Sequence, residues 1–399
     1  SGSLAKQNTG TLILTGSNSY GGGTTVSAGT LQGNATSLQG AITNNAAVVF
    51  NQAGLGTFGG NMSGAGSLTV QGGGTVFLSG TNSYSGGTTV AAGSGLQGNT
   101  NSLQGNIVNN GVAVSFEQTF NGTYAGNMSG TGALIKNGSG TLTLSGVNTY
   151  GGATTVNAGT LAVNGSITSN VTVNGGGMLG GSGTIVGNMT SSGTLTPGNS
   201  IGTLNINGSF TQNGGIYQVE VNAAGQSDRI NVTGAPGTAT INGGTVQVIA
   251  ESGSYARSTT YTILNATGGV NGAYSNVTSN FAFLTPTLSY DANNVFLTLL
   301  QSSSAFASGA QTPNQFAVGT ALDIANPTAT GDFNTVLNAL SGLNTQQGPA
   351  ALDAISGQPY SGFGTANIGG SLLFMNALGT QMAGARGGGG GGTRIALAE

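Results

Sequence analysis

The sequence predicts an all-β solenoid followed by a small α-helical C-terminal region, and three observations carry that prediction. The stretch GTLTLSGVNTYGGATTVNAGTL, Gly140 to Leu161, occurs twice before, from Gly10 to Leu31 and from Gly74 to Leu96, starting 64 and then 66 residues apart. Aliphatic residues alternate with polar ones inside each copy, the period of a strand buried on one side. Glycine is abundant, 77 of 399, while only 6 basic and 9 acidic residues are present. High glycine often means disorder, but here Val, Ile, Leu and Phe recur between the glycines and net charge is only −3, so a packed interior is expected.

One copy shows why stacking is required. In Thr141-Leu142-Thr143-Leu144 the leucines face one way and the threonines the other. Gly146 and Asn148 are expected to break that strand, Gly151-Gly152 to turn the chain, and Thr154-Thr155-Val156 to start another. Glycine and asparagine tolerate the left-handed conformations of tight corners. A strand this short buries one or two aliphatic side chains, so it needs neighbours that do the same. The segments between copies are also related: Leu38–Ile42 matches Leu103–Ile107, and Gly60–Gly64 matches Gly126–Gly130. The unit is therefore about 65 residues, or roughly three coils of 20 to 25 residues. Phe50, Phe58, Phe116 and Tyr124 occupy equivalent places and read as core fillers.

The chain then divides in order. Residues 1–165 hold the three copies, and 166–194 read as shorter coils. From 195 to 300 the strands lengthen and become more apolar: Ile216–Val221, Thr245–Ile249, Tyr261–Leu264, Phe281–Leu284 and Val295–Leu299. This part is expected to be the most stable and to close the sheet end against edge pairing. Residues 301–386 switch to helical spacing, with Phe333, Val336, Leu337 and Leu340 on one stripe, continued by Leu352 and Ile355. Pro313 and Pro349 suit first turns, Gly342 suits a C-terminal cap, and a further helix is expected from about Ala366 to Met382. Six glycines, Gly387 to Gly392, read as a linker within 387–399. The start, Ser1-Gly2-Ser3, reads as that of a processed or cloned fragment.

Composition argues against catalysis. There is no histidine and no cysteine, so the usual base and thiol nucleophile are missing. Lys6 and Lys136 are expected in repeat corners, without a Ser-x-x-Lys motif. Paired carboxylates would have to come from Glu117, Glu220, Asp228, Glu251 and Asp291. Only Glu220 and Asp228 are close in sequence, and with Arg229 they read as a surface salt-bridge cluster. No Asp-rich calcium repeat, phosphate loop or basic footprint is present, so no cofactor, metal or nucleic acid is expected. Catalytic, cofactor and metal residues are accordingly expected to be none. Outward threonines could present a surface to ice or glycans, but regular threonines on successive coils are not visible in the sequence.

The three copies resemble the passenger-associated transport repeat of bacterial autotransporters, the type V secreted proteins. PGNSIGTL, YQVEVN, SDRINVTG and FLTPTLSYDANNVFLTL, within Thr196 to Leu300, resemble the autochaperone region of such passengers. AALDAIS, Ala350 to Ser356, resembles the helical segment before the membrane barrel. The resemblance implies a right-handed, single-stranded parallel β-helix, of about 12 coils and roughly 60 Å. It also implies export through the outer membrane and display on the surface of a Gram-negative cell. The partner implied is the protein's own outer-membrane β-barrel, which the sequence does not contain. The function expected is that of a passenger stem and autochaperone, non-enzymatic, in an adhesin or aggregation factor contacting a host surface, a glycan or another copy. The alternative is the β-helix scaffold of a secreted polysaccharide- or ester-degrading enzyme.

Overall fold

The computed structural model describes residues 2–357 and the helix backbone of 361–386. The predicted linker Gly387 to Gly392 lies outside the described residues. Two compact units result: one holds the chain to Asn280 together with Leu284–Leu300, the other Phe281–Phe283 and the chain from Gln301.

The first unit is a parallel β-solenoid of about 11 turns. Its longest sheet has eleven strands and runs in chain order from Leu55–Phe58 to Val270–Ala273. Registers show the coil length directly. Val76 pairs with Leu96, Val171 with Met189, and Tyr217 with Val246, so a turn takes 20, 18 and finally 29 residues. The predicted alternation holds: in Thr141–Leu144 the two leucines are buried and the threonines face outward. Val76, Leu96, Val114 and Leu134 follow one another up a single interior column, all fully buried. Such a column removes each aliphatic side chain from water, at about 1.5–3 kcal/mol apiece.

The repeat does not coincide with a whole number of coils. Thr24–Val26 lies in a four-stranded sheet, Thr88–Val90 in a seven-stranded one and Thr154–Val156 in the eleven-stranded one. An offset of 64 to 66 residues over coils of about 20 is three turns and a third. Each copy is therefore carried one face further round the solenoid.

Towards the C-terminal end the strands lengthen to six to nine residues. Ser258–Ala266 pairs antiparallel with Asn294–Leu300, which pairs antiparallel with Thr285–Tyr290, whereas every other strand pair among the described residues is parallel. Pro286 sits in that outermost strand. Proline withholds a ladder donor, a common way to blunt an edge against further pairing.

The second unit contains α1 (Ala305–Ser308), α2 (Pro313–Ala325), α3 (Gly331–Ser341), α4 (Gln347–Ile355) and α5 (Ser361–Arg386). Thr312 caps α2 by accepting the Gln315 N–H, Gln315 returns its side chain to the cap, and Pro313 takes the first position. Phe283, Phe306, Leu322, Leu337, Leu340 and Leu352 form its core. Two sequence expectations are corrected here. Phe281–Leu284 is not a strand, and Phe283 serves the helical core, its ring 5.0 Å from that of Phe306. The α3 stripe is only half buried: Leu337 and Leu340 point inward while Phe333 and Val336 are exposed, as is Ile355 in α4. No helix among the described residues is long and apolar enough to cross a membrane.

Candidate functional site

Of the ionisable residues singled out by the sequence, Glu220 and Asp228 line one cavity, while Glu117 and Asp291 make their bonds elsewhere. Lys136 is not in a corner: it lies within the strand Ala133–Asn137, fully buried. Its Nζ donates to the carbonyls of Asn137, Gly138 and Ala158 at 2.9, 2.8 and 2.9 Å. Burial pulls its pKa down to about 8, only partly countered by the Glu117 carboxylate. Lys6 does the same in the first copy, donating to the carbonyls of Asn8 and Ala28. The second copy has Val70 at this position, also buried. These lysines therefore fill the interior and bind carbonyls, which leaves no nucleophile partner for them.

The expected surface salt-bridge cluster is also absent in that form. Asp228 is buried, and its two carboxylate oxygens accept the backbone N–H groups of Gly202 at 2.8 Å and Glu220 at 2.9 Å. Burial raises its pKa to about 7, against the lowering effect of those two donors. A carboxylate whose oxygens are both occupied clamps the turn ending at Gly202 to the next coil. It lines a cavity of about 230 Å³ together with Asn199, Ser200 and Glu220. Glu117 faces outward beside Ser115 and Asn137, accepting from both. Asp291 holds a turn by accepting from Asn293 and Asn294, which lowers its pKa. Among the described residues no three His, Cys, Asp or Glu side chains are grouped to hold a metal. Phe50 packs edge-on to Phe58 at 5.2 Å and Phe116 to Tyr124 at 5.5 Å, all buried.

The repeat's polar residues are interior too, which the sequence reading missed. No non-glycine residue among those described has positive φ, so asparagine is not a left-handed corner here. Buried Asn82 accepts the Met62 N–H and donates to the Ser102 carbonyl, both at 2.8 Å. Asn148 repeats this with Met128 and Ser166. Tyr84 and Tyr150 hydrogen-bond Thr88 and Thr154 at 2.6 and 2.7 Å. Each asparagine thus joins the coil before to the coil after, and each tyrosine fills the space within.

One outward surface is built as a regular array. On the eleven-stranded sheet Thr155 pairs with Thr172, Thr172 with Thr190, Thr190 with Thr211 and Thr211 with Thr240. This corrects the expectation that threonines do not align on successive coils. The alignment is hidden in the sequence because the steps are 17, 18, 21 and 29 residues. To one side of the threonines run Asn157 and Asn174, then Asn213 and Asn242, with side-chain bonds of 2.7 to 2.9 Å along the axis. To the other side Asn170 accepts from the Asn188 N–H, and Asn188 from the Ser209 N–H. The flanking amides are thereby fixed, while the five threonine hydroxyls make no hydrogen bond among the described residues. No charged residue occurs between Asn137 and Val219.

A parallel solenoid with buried polar staples at a 65-residue repeat defines a class of repeat protein whose coils close one continuous interior. The sequence profile of the passenger-associated-transport-repeat family matches residues 4–32, 68–94 and 134–163, the three copies described above. The chain is also similar to the adhesin BmaC autotransporter of Brucella suis biovar 1 (strain 1330), 36% identical over 146 residues. That match spans 36% of this chain and 3% of the length of that relative. The chain thus carries three copies of the passenger-associated transport repeat and, over 36% of its length, is similar to an autotransporter adhesin.

Proposed function

We propose that this chain is the stem and folding template of its autotransporter and that it serves adhesion, without a catalytic step. The adhesin named among its relatives supports the second half of that reading. Its first partner is its own outer-membrane β-barrel, through which the polypeptide emerges unfolded. Residues 195–300 act as the autochaperone part, and 301–386 as the segment leading to the barrel.

The observation that carries the folding role is the closure of the solenoid at its C-terminal end. At the C-terminal end the antiparallel strands Asn294–Leu300 and Thr285–Tyr290 finish the sheet, and Tyr217, Tyr255 and Tyr261 are buried beneath. A sealed C-terminal end leaves coils to add on its N-terminal side, each new coil completing the interior column of the last. Every added coil opposes return of the chain through the membrane. Hydrogen exchange of the intact chain tests this: amides of residues 203–300 should open only by global unfolding, and those of 1–165 by lower-energy fraying. Equal or greater protection in 1–165 would remove the template.

A further inference from the structure

We propose that the face running from Thr155 to Thr240 is a contact surface for an uncharged polysaccharide chain. This rests on the adhesion reading above and names the partner. Four observations converge on it. The middle column offers one unengaged hydroxyl per coil over five consecutive coils, each both donor and acceptor. The amide columns beside it are already bonded along the axis, so little side-chain freedom is lost when a ligand settles. None of the five strands that carry the threonines, Thr154–Val156, Val171–Val173, Met189–Ser191, Phe210–Gln212 and Ala239–Asn242, holds a Lys, Arg, Asp or Glu. The nearest carboxylate on the amide column is Glu117, beyond Asn137, so the threonine column itself does not select an anionic glycan or a charged protein. The array is also periodic, at about 4.8 Å per coil, which suits a polymer of repeating hydroxyl-bearing units.

Area argues against a second copy of the chain as occupant. Five coils span roughly 19 Å, and three columns of alternate residues roughly 13 Å, or about 250 Å². Stable protein pairs bury about 800 Å² on each partner. A long polymer needs no such footprint, because weak contacts repeated along one chain add through avidity.

The test is affinity electrophoresis of the chain in native gels containing dextran, mannan or amylose, with heparin gels as the charged control. The comparison is a triple variant, Thr172→Val, Thr190→Val and Thr211→Val, which keeps side-chain shape and strand preference and is checked for an unchanged far-UV circular dichroism spectrum. Retardation by at least one neutral polysaccharide is expected, with the association constant lowered about tenfold or more in the variant, from three lost hydrogen bonds of about 1 kcal/mol or less each. Absence of retardation in all neutral gels, retardation by heparin alone, or equal retardation of the variant would overturn the assignment. So would a concentration-dependent dimer that the variant loses, since the face would then join copies. Chain-coated beads on surfaces carrying protein coats separate the two levels. Retention there without polysaccharide binding overturns this assignment and leaves adhesion standing, whereas no retention on any coat together with no polysaccharide binding removes both.

Discussion

Replacing Lys136 by methionine tests whether the repeat is written for the interior. Methionine keeps the unbranched aliphatic fill but removes the ammonium, and Val70 already occupies the same place in the second copy. Two effects oppose each other: loss of the bonds to the carbonyls of Asn137, Gly138 and Ala158, and release from holding a charge away from water. Buried ions replaced by apolar residues of similar size are often neutral or stabilising by about 1–4 kcal/mol. The lysine carries its own signature in pH. Its pKa falls from 10.5 to about 8 on folding, so the unfolded chain binds more protons between those values. Wild-type stability must therefore rise with pH across that window as the charge penalty is relieved. Between pH 7 and 9.5 that rise is about 2 kcal/mol unscreened and about 1 after allowance for solvent near the Nζ end. Urea unfolding of both proteins at the two pH values is the assay, since tyrosine ionisation affects both equally and cancels. K136M should be more stable by about 1 kcal/mol at pH 7, with the advantage gone by pH 9.5. A difference independent of pH, or a variant weaker at pH 7, would refute the reasoning.

Other perturbations follow from the same interior. Tyr84→Phe should cost about 1–3 kcal/mol because Thr88 is left buried without its partner, and Tyr150→Phe less, because Thr154 also bonds Ser169 at 2.9 Å; thermal unfolding of the pair gives the order. Asn82→Ala orphans the Met62 N–H and the Ser102 carbonyl and should cost about 2–4 kcal/mol in urea unfolding. Asp228→Ala should speed hydrogen exchange at Gly202 and Glu220, whose N–H groups lose their acceptors. Burial raises the tyrosine pKa values, to about 12 for Tyr84 and Tyr261 and higher for Tyr150 and Tyr217. The folded state keeps those protons while the unfolded state loses them above pH 10, so stability should fall from pH 10 upward and phenolate absorbance should appear together with unfolding.

Much of the fold was legible because alternation and period are local signals. Thr141–Leu144 states its buried and exposed sides within four residues, and the copies at Gly10, Gly74 and Gly140 require stacking. What stayed hidden depends on which residues end up one coil apart. Asn148 and Lys136 belong to residue types that usually lie outside, and only the coils on either side show that each satisfies buried backbone groups. The threonine face was invisible because unequal coil lengths scatter its members along the sequence. Asp228 stands next to Arg229, yet adjacent strand residues point to opposite sides, so the aspartate goes in and the arginine out. Phe283 and Phe333 were misjudged because an apolar run does not say which partner buries it.

Pulse-labelled hydrogen exchange during refolding of the chain from denaturant reaches the order of assembly directly. If a sealed C-terminal stack templates the rest, amides of Tyr217–Val221, Val246–Val248 and Leu297–Leu299 become protected first, and protection then advances coil by coil toward Leu31. Protection arising first around Val76 and Leu96, or everywhere at once, would contradict the account.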